Sequence, residues 1–202
     1  LYRFEGNTKK TVKSAQVGEI VAVAGLEDVS VGVTYTDAEN PIPLETVKMD
    51  PPTISMTFIG NDSPFYGTEG KYVTSRQLGE RLFRETISDV ALQVEYLPES
   101  SGYKVSGRGE LHLSILIEKI RREGYEFQVT RPQVIFKDID RKRHEPYEFL
   151  SIDVDEEFSG KVIQNLGARR GQLLEMDQKN GMVRLEYKIP TRGLLGFRAE
   201  FM

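Results

Sequence analysis

SGRGELHLSIL, residues 106–116, sets two glycines around Arg108 and follows them at once with an acidic, helix-prone run. Three readings compete: a loop that cradles phosphate, a catalytic pair made by Glu110 and His112, or a tight turn from strand into helix. Glycines at a helix N-terminus can form an anion-binding nest, but no Lys-Ser/Thr pair follows them, as a nucleotide P-loop requires. Glu110 and His112 are two positions apart, so a helix points them in different directions. No nucleophile–base constellation completes a catalytic set. The turn is the reading these residues favour, with Glu110 suiting the helix dipole and Arg108 left as a possible contact for a partner.

The flanking sequence supplies the elements that such a turn would join. Thr53–Ile59 reads as a strand, followed by the loop NDSPFYGTEGK. A helix is predicted from Thr74, with Gln77 completing a capping box and Val73 stapling onto Leu78. Leu78, Leu82, Phe83 and Ile87 are its expected buried face. Leu92, Val94 and Tyr96 alternate as a strand, PESSG turns, and Tyr103–Ser106 is the next strand. The helix that begins the quoted stretch buries Leu113, Leu116, Ile117 and Ile120, carries Lys119, Arg121 and Arg122 in its last turn, and stops at Gly124. Tyr125, Phe127 and Val129 close the unit. Residues 49–131 therefore read β-α-β-β-α-β, the ferredoxin-like plan.

A polar connection, 132–146, ending in IDRKRHEP, leads to a second copy over 147–202. Phe149, Ile152 and Val154 predict its first strand, and Gly160–Leu166 a short helix. Asn180-Gly181 is a hairpin turn, Val183, Leu185, Tyr187 and Ile189 alternate, and Pro190-Thr191 introduces a second helix. Residues 1–48 show no helical period. The apolar run Ile20–Ala24 and the alternation of Val29, Val31, Val33 and Tyr35 predict strands of a partial β-barrel. The fold class is α+β: a partial barrel followed by two ferredoxin-like modules, the second incomplete. Leu1 opens directly into strand-like sequence and Met202 falls inside a helix, so the chain is expected to be a piece of a longer protein.

Composition narrows the function. The 202 residues are 39% apolar and 29% charged, with no cysteine and only two histidines, His112 and His144. Disulfides and cysteine- or histidine-rich metal centres are excluded, and no apolar run approaches the ~18 residues of a membrane span. The net charge of −4 is unevenly spread: residues 158–202 carry eight Lys/Arg against four Asp/Glu, leaving −8 on the first 157. The cations Lys161, Arg169, Arg170, Arg192 and Arg198 are candidate phosphate contacts, Arg169 and Arg170 lying in the glycine-flanked loop GARRG where a helix ends. Helix C-termini favour cations on dipole grounds as well. No aromatic signature for reading single-stranded bases accompanies them. Gly6–Thr11, GNTKKT, lacks the second glycine of a phosphate loop and reads as a basic turn. Asp153, Asp155, Glu156 and Glu157 lack the spacing of a calcium loop and read as solvated charges before a helix.

These stretches together resemble the translational GTPases of the elongation factor G superfamily. VGEIVAVAGLEDVSVG (17–32) is similar to their second-domain barrel, with Val33 standing where an acidic residue is usual, and PTISM (52–56) is similar to the entry to their domain III. In SGRGELHLSILIEKIRREGYEF (106–127) the recurring G-x-G-E-L-H-L signature marks a strand–helix junction. The short connection between the two modules is similar to that of the BipA/TypA and LepA groups, and NDSPFYGTEGKYVTSR (61–76), VTRPQVIFKDID (129–140) and IPTRGLLGFRAEFM (189–202) resemble the BipA/TypA group in particular. The resemblance implies that residues 1–48 belong to a domain II, 49–131 to domain III and 147–202 to a domain V, joined by the linker 132–146. It implies a cytoplasmic, monomeric partner of the bacterial ribosome and its rRNA, with no membrane or DNA target, acting in translation, ribosome assembly and stress adaptation. GTP and Mg²⁺ would belong to a domain whose motifs, G-x-x-x-x-G-K-[ST] and N-K-x-D, do not occur here. The chain itself is then no enzyme, and it has no cofactor of its own. The alternative is a protein–protein regulatory module built from ferredoxin-like repeats.

Overall fold

The computed structural model describes residues 1–26, 29, 31–45 and 50–202, in two compact units, Leu1–Val47 and Lys48–Met202. In the first, β1 (Tyr2–Glu5) and β2 (Thr8–Thr11) form an antiparallel hairpin around Gly6, whose φ of 60° suits glycine. The GNTKKT stretch is thus a basic turn, with Lys10 paired to Glu5 and Lys9 over the Tyr2 ring at 3.8 Å. The strands expected near Ile20–Ala24 and Val29–Tyr35 are not formed among the described residues, apart from a single bridge between Tyr2 and Ala22. Alternation predicts a strand only where a neighbour completes its ladder. Here Ile20, Val23, Val29 and Val31 remain exposed. Glu27, Asp28 and Ser30, within the barrel-like stretch, and the expected boundary at 48/49 lie outside the described residues.

In the second unit β3 (Ile54–Gly60) is the central strand. α1 (Ser75–Ser88) follows it, then β4 (Gln93–Leu97), a 3₁₀ turn at Pro98–Ser100, β5 (Gly102–Gly107), α2 (Glu110–Arg122), β6 (Phe127–Val129) and β7 (Gln133–Val134). The sheet runs β4-β5-β3-β6 and is antiparallel throughout, β7 sharing an edge of β3 with β6. This is the ferredoxin-like strand order. The capping box forms as the sequence predicts: Thr74 Oγ1 accepts from Gln77 N–H at 3.3 Å and Gln77 Oε1 accepts from Thr74 N–H at 3.3 Å.

The inward face of α1 differs from expectation. Leu78 and Leu82 are buried, but Phe83 and Ile87 are exposed, and Arg81 takes an inward place. The helix is rotated so that Gly79 lies against Tyr103, where a Cβ would come within 2.1 Å of the phenol oxygen. That approach brings positions 78, 81, 82 and 85 inward, a helical i, i+3, i+4, i+7 stripe. Arg81 is tolerated there because Glu85 and Glu123 receive its guanidinium. Leu113, Leu116 and Ile120 of α2 complete the core with Ile54, Phe58 and Val105.

The connection between the copies contains a hairpin that the sequence reading does not anticipate, β8 (Lys137–Ile139) with β9 (Lys142–His144). β10 (Tyr147–Asp155), α3 (Glu156–Ala168), β11 (Gln172–Lys179) and β12 (Met182–Pro190) then form the second module, strand order β10-β12-β11. α3 begins earlier than the expected Gly160, its first turn carrying Glu156 and Glu157. Asn180 and Gly181, at φ of 53° and 78°, make the predicted turn. The final helix is broken in two, α4 (Thr191–Leu194) and α5 (Phe197–Phe201), by the left-handed Gly196. Ile152, Val154, Val162, Leu166, Val183, Leu185, Tyr187, Ile189 and Phe197 form the second core.

Candidate nucleic-acid interface

α3 buries Val162 and Leu166 and carries Lys161, Asn165 and Arg169 at helical spacing along one flank. The sequence groups five cations here, and the structure separates them by role. Arg169 is turned inward. Its Nε donates to Asn165 Oδ1 at 2.8 Å, Nη1 to the carbonyls of Gly193 and Leu195 at 2.8 and 3.1 Å, and Nη2 to Glu200 Oε1 at 2.6 Å. The guanidinium also lies 5.5 Å from the Phe197 ring centroid. Its side chain is only 20% exposed. Arg169 therefore fastens the α4–α5 segment to the end of α3, where the sequence reading placed it in an exposed loop. The planar fork of arginine fits divergent carbonyls and a carboxylate at once.

Arg170 is the exposed member of GARRG, in the left-handed region at φ 65°. Its amide closes the helix onto Gly167 O at 3.0 Å and Gly171 N–H follows onto Leu166 O at 2.8 Å, an end usually built on glycine. Lys161 and Arg198 are exposed as well. Among the described residues no hydrogen bond or ion pair engages the side chains of Lys161, Arg170 or Arg198. Arg192 is bonded to Glu145 at 2.7 and 3.3 Å and remains 39% exposed. That contact with Arg192 holds the Glu145 carboxyl below the usual carboxylate range. The asparagine partner of Arg169 is legible as an i, i+4 pair. Glu145, Glu200, Gly193 and Leu195 are too distant in sequence to be inferred.

The stretch around Arg108 serves as a junction. Arg108 N–H donates to His112 Nδ1 at 3.2 Å, while His112 Nε2 lies 2.6 Å from Asp89 Oδ2. Nδ1 accepts, so the proton is on Nε2 and points at Asp89. Both ring nitrogens are committed, leaving neither to exchange a proton with a substrate. The amide that an anion nest would offer is likewise used. Gly107 permits the close packing, since a Cβ there would meet His112 Nδ1 at 2.9 Å. Arg108 itself is exposed and already engaged. Asp153 pairs with Arg184 at 2.8 Å, and no group of acidic or histidine ligands among the described residues is arranged to hold a metal. The residues do not fit GTP with Mg²⁺: GNTKKT is a β-hairpin and the Gly107–Gly109 turn lacks the lysine and hydroxyl of a phosphate loop.

The same junction joins the two modules. Glu110 Oε2 accepts from Gly196 N–H at 2.9 Å, and Thr53 Oγ1 lies 3.5 Å from Glu148 Oε1. Leu195 packs against the first core. A cleft of about 590 Å³ runs between the modules, lined by Leu111, Leu150, Leu194 and Phe197 with Arg198 at its side.

Comparison with known proteins agrees with this architecture. Residues 142–202 match the family described as elongation factor G C-terminus. The chain is 48% identical over 203 residues to the large ribosomal subunit assembly factor BipA of Bacillus subtilis strain 168, covering 100% of this chain and 33% of that protein. It is 51% identical over 189 residues to the protein of the same name from Escherichia coli strain K12, covering 93% of this chain and 31% of that one. The chain thus spans about a third of the length of the curated relatives it matches. A crystal structure of a Thermus thermophilus protein shares the fold at a TM-score of 0.53 and 15% identity, over 98% of this chain and 45% of the other.

Proposed function

The chain belongs to the BipA/TypA family over the stretch it spans, and from that premise we propose that it is the rRNA-facing scaffold of a ribosome-associated assembly factor. The observation that carries the reading is the set of exposed cations that no hydrogen bond or ion pair holds among the described residues, Lys161, Arg170 and Arg198, with the half-exposed Arg192, on a protein whose net charge is −4. Arg169 supports that surface from beneath, fixing the segment that bears Arg192 and Arg198. Phosphate contacts of this kind position a protein on RNA without reading its sequence. In this reading the second module holds the cations at a fixed separation, residues 49–131 and 147–202 act as the family's domains III and V, and residues 1–48 belong to its barrel. GTP hydrolysis resides outside the aligned third of the relatives, and the assembly it drives takes place in the cytoplasm.

Co-sedimentation with purified bacterial ribosomes across a salt series tests this. Arg170→Ala with Arg198→Ala should weaken binding and lower the salt slope by roughly one unit per lost phosphate contact. A slope identical to that of the unmodified chain refutes the assignment. The protein–protein reading draws on a different observation, the exposure of Phe83, Ile87 and Tyr96 on the first module. It predicts that the basic face is dispensable and that partners are captured in the absence of ribosomes.

A further inference from the structure

We propose that the β8–β9 hairpin is a second, separate RNA-contacting element, gripping the phosphate backbone of structured RNA through Lys137, Arg141 and Lys142. It rests on the reading of the chain as RNA-facing, but on residues that reading does not use.

The hairpin is short and wholly exposed from Lys137 to His144. Its register pairs Lys137 with His144, Asp138 with Arg143 and Ile139 with Lys142. Residues opposite one another share a face, and neighbours along a strand alternate. One face therefore carries Lys137, Lys142, His144 and Ile139, with no acidic residue. The other carries Asp138 and Arg143, and Arg143 is held there by the Phe136 ring, 4.1 Å from its centroid. Among the described residues no ion pair neutralises Lys137, Arg141 or Lys142. This segregation of charge suits a polyanion lying across one face, and the absence of Phe, Tyr or Trp from that face suits backbone contact over base stacking.

The tip strengthens the case. Asp140 and Arg141 are the two turn residues, at φ of 49° and 61°. Such a turn favours glycine at its second position, and the chain places glycine there in the two-residue turn between β11 and β12, at Gly181. At the exposed tip of β8–β9 it keeps an arginine instead. Nothing in the packing requires that side chain, and a costly backbone conformation retained at an exposed site points to function. The base is firmly set: Ile135 N–H donates to Thr53 O at 2.9 Å, Thr191 N–H to Pro146 O at 3.0 Å, and Glu145 receives Arg192. The hairpin is an arm projecting from the junction of the two modules, its root tied to both.

The test compares salt slopes for ribosome binding and for binding to a short RNA duplex. Arg141→Gly leaves a turn sequence that this hairpin geometry prefers, so loss of folding does not confound the result. Combined with Lys142→Gln and Lys137→Gln it should lower the slope by up to about three units, one per contact. Arg143→Gln, on the opposite face, should leave the slope unchanged. If the three-residue variant keeps the full slope while Arg170→Ala with Arg198→Ala reduces it, the inference fails and the reading of the second module stands. An equal loss in Arg143→Gln would reduce the effect to overall charge and overturn the inference too. Loss of ribosome binding in the variant, with no binding of the duplex by the unmodified chain, would assign the arm to an acidic protein surface and overturn it as well. No salt-dependent binding by the unmodified chain would overturn both proposals.

Discussion

Replacing Arg81 should destabilise the first module more than its position on a solvent-flanked helix suggests. Its side chain is 7% exposed and makes three charge-assisted bonds: Nε to Glu123 Oε2 at 2.5 Å, Nη2 to Glu123 Oε1 at 2.7 Å and Nη1 to Glu85 Oε2 at 2.7 Å. Glu85 is 13% exposed and also receives Lys119 at 2.8 Å, so it keeps one partner when Arg81 is lost. Glu123 is 38% exposed, and solvent screens its share. Removing one partner of a buried pair costs about 3–5 kcal/mol. With Lys119 retained and Glu123 partly solvated, Arg81→Ala should fall at the low end, about 3 kcal/mol. If the compact unit Lys48–Met202 melts as a whole, that is a fall in Tm of roughly 6–12 °C. Arg81→Met, which keeps the packing of the stem, should lose about 2 kcal/mol. Urea unfolding followed by circular dichroism measures both, and a double-mutant cycle with Glu123→Gln should return a coupling of about 1 kcal/mol. A loss below about 0.5 kcal/mol for the alanine variant, within the usual range for surface sites, would refute the reasoning. The network also has a pH signature. Burial opposes ionisation of Glu85, but Lys119 and Arg81 outweigh it, and Arg81 draws Glu123 down as well. Both carboxyls sit below the ordinary 4.5, so their contribution is complete above that pH and is lost as pH falls through the lower folded values.

Glu126 should hold the loop Asn61–Gly70 together into strong acid. Its carboxylate accepts from the amides of Glu69, Gly67 and Gly70 and from Asn61 Nδ2, which hold its pKa at about 2. The amide shifts of Glu69 and Gly70 should titrate near pH 2, and a midpoint at 4.5 would contradict this. Glu126→Gln should speed their hydrogen exchange at neutral pH. Gly79→Ala should destabilise despite the better helix propensity of alanine, by about 1–3 kcal/mol of overpacking against Tyr103. A thermal melt decides it, and Tyr103→Phe in the same chain should recover part of the loss.

The fold was legible wherever local chemistry and tertiary demand coincide. Thr74 and Gln77 announce a helix start that the structure keeps, and Asn180-Gly181 a turn that nothing overrides. Phe83 and Ile87 misled because apolar periodicity does not reveal that Gly79 will rotate the helix onto Tyr103, or that Glu123, 42 residues away, will admit an arginine. The β8–β9 hairpin was hidden because its turn is Asp-Arg and both faces are polar. Arg169 and Arg170 are identical in sequence terms. The carbonyls of Gly193 and Leu195 and the carboxylate of Glu200 distinguish the fastening from the exposed cation, and these lie far along the chain.

The bond from Glu110 to Gly196 has a mechanical consequence. The junction between the modules includes the Glu110 carboxylate on the Gly196 amide, Thr53 Oγ1 beside Glu148 Oε1 at 3.5 Å and the wedge of Leu195. A force applied at the far end of either module converges on residues 195–196, where the final helix is already interrupted. Stiffness there depends in part on the reach of one side chain, Glu110. Shortening it by a methylene, Glu110→Asp, would slacken the coupling while leaving each module's core untouched, turning a lever into a hinge.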